Sequence, residues 1–189
     1  MNERTTTELI VSLGEDFERC HQLVLDAIED GKAEDGYYVN RDYEFHARNL
    51  IRSGLSLIEA ATFSIKVQSA NKCIEKGIPI SDHERFLSIE IDADIDDKGQ
   101  VVERPAKIRL TSNIRFAFGL LERASGTKTT FDPQLDWWSF LRKTIRVRDR
   151  LTHPRMPEDI DIGGEEVVDA LKAVEGFEKV VAQSFRENA

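Results

Sequence analysis

Arg148 and His153, five positions apart and just ahead of Pro154, are the residue types in this chain best suited to holding a phosphate and moving its protons. They lie in WWSFLRKTIRVRDRLTHP, Trp137 to Pro154. Wound at about 100° per residue, this stretch sets Trp137, Phe140, Leu141, Ile145, Val147 and Leu151 on one apolar arc, with Thr144 inside it. Arg142, Lys143, Arg146 and Arg150 gather on the opposite side, and Arg155 extends them. Arg148 falls near the middle of the apolar arc, where a permanent charge requires a hydrogen-bonded partner or a ligand. Pro154 disfavours helical geometry at the residue before it, which puts His153 at a helix C-terminus, where the dipole favours a cation. An imidazole with an unperturbed pKa of about 6.5 exchanges protons near neutrality.

Arg148-Asp149-Arg150-Leu151-Thr152-His153 resembles the signature of the HEPN superfamily, in which an arginine followed by a polar residue precedes a histidine near the end of a long helix. The proline after the histidine and the apolar helix before the arginine are similar too, and the likeness covers Leu135 to Pro154. The resemblance implies a metal-independent endoribonuclease without a cofactor, acting at a composite cleft between the motif helices of two protomers. His153 would serve there as general base or acid, Arg148 would stabilise charge on the phosphate, and Asp149 would orient one of them. Arg142, Arg146, Arg150 and Arg155 would hold flanking RNA phosphates. The implied partners are RNA, a second copy, and an antitoxin or regulatory protein of a toxin–antitoxin or defence system. Some toxin members carry a modifiable tyrosine two residues past the histidine; Arg155 stands there, so that form of control is not implied. The competing reading is a noncatalytic interaction or stress-response module in which Arg148 is a structural tie.

The elements that must position these residues are helical. A composition of 40% hydrophobic and 32% charged residues suits one sizeable core, a single domain over residues 1–189. The expected class is all-α, an up-down bundle of about five helices with an inserted β-hairpin over residues 89–109. No apolar run reaches the roughly 18 residues of a membrane span, and no signal peptide opens the chain, so a soluble cytoplasmic protein is expected. Cys20 and Cys73 lack metal-ligand spacing and read as reduced thiols. The net charge of −9 argues against binding nucleic acid over the whole surface, while leaving room for a local cationic site.

The first helix is expected from Thr6 or Thr7 to Asp30, with Leu9, Ile10, Leu13, Phe17, Cys20, Leu23, Val24 and Ile28 buried. A polar loop with Tyr37 and Tyr38 follows, then a long helix from Asp42 to Glu75 that packs closely at Gly54 and Ala61. Its Glu59 is either the acid that pairs with Arg148 or part of an exposed face near Phe63 and Lys66; His46 reads as a surface residue. Ser81 caps a short helical turn. Thr111 or Ser112 caps the helix running to Ser125, Asp132 and Pro133 open the motif helix, and Glu165 to Arg186 forms the last.

Between these helices Ile89, Ile91, Ala93 and Ile95 alternate with Glu90, Asp92 and Asp94, the repeat of a strand with one covered face. Asp97-Lys98-Gly99 turns the chain back, and Pro105 edges the return strand. Asp92, Asp94, Asp96 and Glu103 imitate the ligand spacing of a calcium loop, yet Asp97 occupies the position that needs glycine and the flanks are strands. The chain has no HExxH, no paired cysteines at zinc spacing, no GxSxG and no phosphate-binding glycine loop.

Overall fold

The computed structural model describes residues 3–31 and 41–186. Among them are six α-helices and one antiparallel hairpin: α1 (Glu3–Asp30), α2 (Arg41–Glu75), α3 (Asp82–Ser88), β1 (Ile91–Ile95), β2 (Val101–Pro105), α4 (Leu110–Ser125), α5 (Asp136–Thr152) and α6 (Gly164–Arg186). A 3-10 turn, Pro157–Ile160, separates α5 from α6. The chain is therefore all-α with an inserted hairpin. Tyr37 and Tyr38 lie outside the described residues.

Two compact units make up the fold, one from Met1–Ile58 and Asp132–Lys179, the other from Glu59–Phe131 and Val180–Ala189. In the first, Phe17 and Val24 of α1, Leu50, Ile51 and Leu55 of α2, Trp137, Leu141 and Leu151 of α5, and Val174 and Phe177 of α6 are buried. Gly54 admits close approach, since a Cβ there would meet Phe17 and Val174 at 2.9 and 3.0 Å. Gly176 is tighter still: a Cβ would collide with Cβ and Cγ of Trp137, whose ring stands edge-on to Phe177 with centroids 6.2 Å apart. On α1 the expected stripe is narrower, because Leu9 and Ile28 are exposed while Ala27 is buried.

The second unit buries Ile65, Ala70 and Cys73 of α2 with Ile114, Ala117, Phe118 and Leu121 of α4, and Phe118 stacks on Phe131 with centroids 4.8 Å apart. Gly77 adopts φ +66 just past the end of α2, and Lys76 donates to the Ala124 carbonyl at the end of α4. Ser81 caps α3 as expected: its hydroxyl accepts from the Glu84 N–H at 3.2 Å, and the Glu84 carboxylate accepts from the Ser81 N–H at 2.9 Å.

Local signals misplace three other helix starts, the first being α1, which begins at Glu3 ahead of Thr6 and Thr7. The cap of α4 is Arg109, not Thr111 or Ser112, and its side chain makes no capping bond. Helix α5 begins at Asp136 after Leu135; Asp132 instead accepts from the Gln134 N–H at 2.8 Å, forming a turn of its own before the helix. The hairpin is shorter than residues 89–109, because Ile89 closes α3 and Glu90 takes the left-handed conformation, φ 57. Neither face of the hairpin is covered as the alternation suggested. Residues 92–95 and 103–105 are all exposed.

Candidate functional site

Helix α5 carries the motif on a buried stripe of Trp137, Trp138, Leu141, Thr144, Val147 and Leu151. Thr144 donates to the Phe140 carbonyl at 2.9 Å, so its hydroxyl is satisfied inside the helix. Arg148 has its Cα on this stripe, yet its side chain keeps 30% of its surface exposed. Asp149, the next residue, is exposed and accepts from the Arg148 Nε at 3.0 Å. The charge expected in an oily setting is thus partly exposed and paired with a neighbouring carboxylate.

One turn on, Thr152 donates to the Arg148 carbonyl and the helix ends. His153 is the C-cap at φ −129, ψ 57; its N–H donates to the Asp149 carbonyl at 3.1 Å, and the residue is exposed. Arg148, Asp149 and His153 therefore lie on the last turn and a half of α5, Arg148 partly exposed and Asp149 and His153 exposed.

The cations opposite divide in two. Arg142, Arg146 and Arg155 are exposed, and the Arg146 Nε donates to the Arg142 carbonyl. Lys143 and Arg150 are engaged by α6 and the segment before it. Lys143 lies 3.1 Å from Asp169, which is nearly buried, and 3.9 Å from Glu165. Arg150 Nη2 donates to the Asp161 carbonyl at 2.8 Å and to Glu166 at 3.1 Å. Glu166 also accepts from the Gly163 N–H.

The segment after His153 is pinned at several points. Asp159 accepts from the backbone N–H groups of Arg155 and Met156 at 2.7 and 3.0 Å, and these bonds hold its carboxyl below the usual range. Arg48 of α2 donates to the Ile160 carbonyl at 3.0 Å, and Ile162 is buried. Arg48, Asp159 and Glu166 thus brace the segment that follows His153; Arg48 escapes sequence reasoning because its partner, the Ile160 carbonyl, lies far along the chain. Glu59 is exposed on α2 and belongs to the second unit, Arg148 to the first.

The second unit contains a polar cluster the sequence did not announce. Lys66 of α2 is fully buried; its Nζ lies 2.7 Å from Glu90 Oε1 and 3.4 Å from the Leu87 carbonyl. Asn113 of α4 donates to the same Glu90 oxygen at 2.8 Å. Burial lowers the Lys66 pKa although Glu90 works to raise it. Burial alone would raise Glu90, but the bonds from Lys66 and Asn113 hold it below the usual range.

Among the described residues no group of three His, Cys, Asp or Glu side chains is arranged to hold a metal ion, and no helix is long and apolar enough to cross a membrane. Asp96, of the calcium-like spacing, accepts from the N–H groups of Lys98 and Gln100 and so shapes the hairpin turn. No family model, curated protein or solved structure matches the chain. The likeness to HEPN proteins rests on the motif residues themselves.

Proposed function

We propose that this protein is a metal-independent endoribonuclease of the HEPN type, working in the cytoplasm as a homodimer with the two α5 ends facing. The observation that carries the reading is the pairing, on the last turn and a half of one helix, of a partly exposed arginine bonded to its neighbour Asp149 and an exposed histidine at the C-cap. His153 takes the proton of a ribose 2′-hydroxyl, and the freed oxygen attacks the adjacent phosphorus. The 5′-oxygen leaves with a proton from the second protomer's histidine, and a cyclic phosphate remains. Arg148 faces the charge that grows on the phosphate oxygens in the transition state. Arg142, Arg146 and Arg155, exposed at this helix and just beyond it, hold flanking phosphates. An antitoxin or regulatory protein covering the α5 end would silence the enzyme.

The second reading, a noncatalytic interaction module, draws on the engagement of Lys143 and Arg150 by acids of α6, which shows how readily cations of this helix serve structure. Incubating labelled single-stranded RNA in EDTA with the parent, Arg148→Ala and His153→Ala separates the two. Cleavage by the parent, lost in both variants while their circular dichroism and melting are unchanged, supports the nuclease. Intact RNA throughout, with Arg148→Ala less stable, supports the module, and a monomer by light scattering during cleavage removes the composite cleft.

A further inference from the structure

Helix α1 carries a second seam beside the stripe it buries. Val11, Glu18 and Leu25 fall seven residues apart, and so do Gly14, His21 and Ile28. Together they step by three and four along the helix, the spacing of the contact positions in a two-stranded coiled coil. The buried side of α1, with Phe17, Val24 and Ala27, lies next to this seam and not on it. Val11 is 55%, Leu25 42% and Ile28 44% exposed; Glu18 is exposed, and Gly14 and His21 are half-buried. A Cβ at Gly14 would meet nothing within 4 Å, so the glycine opens a notch. From Val11 to Ile28 the seam runs about 26 Å.

The order of residues along the seam matches its own reverse. In a second copy laid parallel, each position would face itself, setting Glu18 against Glu18 and leaving a gap between two glycines. In an antiparallel copy, related by a two-fold axis midway between Glu18 and His21, Val11 meets Ile28 of the second copy, Gly14 receives its Leu25, and Glu18 meets its His21. The symmetry makes each pairing twice. Apolar side chains then face apolar ones, a large side chain fills the notch, and a carboxylate meets a ring that donates a hydrogen bond whether neutral or charged.

Among the described residues neither the Glu18 nor the His21 side chain has a hydrogen-bond or ion-pair partner in its own chain. Acids already crowd Glu18: burial first, then the charges of Glu18 and Glu175, raise the carboxyl of Glu178 on α6. A donor brought to Glu18 relieves that crowding. Nucleic acid is a poor occupant, because Glu8, Glu15 and Glu29 flank the seam and repel phosphates; in the antiparallel pairing these acids stay at the wet rim, where salt screens them. We infer that two copies of this protein associate through their α1 helices, antiparallel, along Val11, Gly14, Glu18, His21, Leu25 and Ile28. The inference concerns a different helix from the chemistry at Arg148 and His153 and stands or falls without it.

Sedimentation equilibrium of the full chain over a range of concentrations, at fixed salt, tests it. The expected result is a monomer–dimer equilibrium, weakened about tenfold or more by Val11→Ser combined with Leu25→Ser, and likewise by His21→Glu, which sets carboxylate against carboxylate in two places. Glu18→Lys added to His21→Glu should restore association, because that exchange rebuilds opposite charges in the antiparallel register and in a parallel one sets like against like. Circular dichroism should be unchanged throughout, since the substituted side chains lie off the buried stripe. A parent that stays monomeric, a dimer that both sets of substitutions leave intact, or a double exchange that fails to restore association overturns the proposal. An intact dimer would point to contact through another face, such as the α5 ends, and cleavage of RNA is read separately from all of these.

Discussion

Replacing Glu90 with glutamine strips the counter-charge from a lysine that has no water to turn to. Lys66 Nζ is 2.7 Å from Glu90 Oε1, with Lys66 fully buried and the Glu90 side chain 40% exposed. Unit charges at that distance attract by about 6 kcal/mol at an effective dielectric near 20 and about 1.5 kcal/mol in bulk water; partial exposure of Glu90 places this pair between. The amide retains an acceptor oxygen, and the lysine retains an escape. At pH 7 it can shed its proton for about 1.4 kcal/mol per unit below its unfolded pKa of about 10.4, a ceiling of about 4.6 kcal/mol. The expected loss is therefore about 2 to 4 kcal/mol, or a Tm lowered by about 5 to 12 °C for a chain of this size.

The dependence on pH supplies a sharper signature. Burial lowers the Lys66 pKa, while the Glu90 hydrogen bond and charge raise it, so removing Glu90 lowers it further. The folded variant then releases this proton at a lower pH than the unfolded chain, the unfolded chain binds more protons, and stability rises with pH. Between pH 7 and 10 the variant should gain on the parent, with a slope difference of up to about 1.4 kcal/mol per pH unit. In the parent, the depressed Glu90 carboxyl contributes stability that is lost as pH falls through its folded value. Urea midpoints of both proteins across this range decide the matter. A Tm within about 1 °C of the parent's and parallel pH profiles would refute the reasoning, and Lys66→Met added to Glu90→Gln should restore much of the loss.

Gly176→Ala should destabilise by about 1 to 3 kcal/mol in urea despite the better helix propensity of alanine, because its methyl group meets the Trp137 side chain; a rise in the midpoint would contradict that packing. Arg150→Ala should cost about 1 to 3 kcal/mol by releasing the Asp161 carbonyl and Glu166, whereas exposed Arg142→Ala should stay within about 0.5 kcal/mol; equal melting temperatures for the two variants would contradict the division of these cations.

Much of the helical framework is legible in the sequence because periodicity and punctuation are local. The ends of α2 and α5, the Ser81 cap and the close approach at Gly54 follow from residues within a few turns. The motif can be read as far as the placement of Arg148 and His153 at the end of α5. Lys66 escapes, since a lysine on a long helix reads as surface until Glu90, in a different element, is brought 2.7 Å away. Arg150 escapes in the same way: winding assigns it to a cationic face, and only the arrival of Asp161 and Glu166 shows what holds it. Alternation found the hairpin, but period two reports which residues share a side and is silent on whether that side is covered.

Glu90 occupies a backbone position, φ 57, that glycine or asparagine would take at less cost. Glutamate there goes against local preference, and the ion pair with Lys66 is the compensation within reach. Positions 66 and 90 should therefore drift as a couple: where a descendant of this chain turns the lysine apolar, its hairpin base is released to become glycine or asparagine.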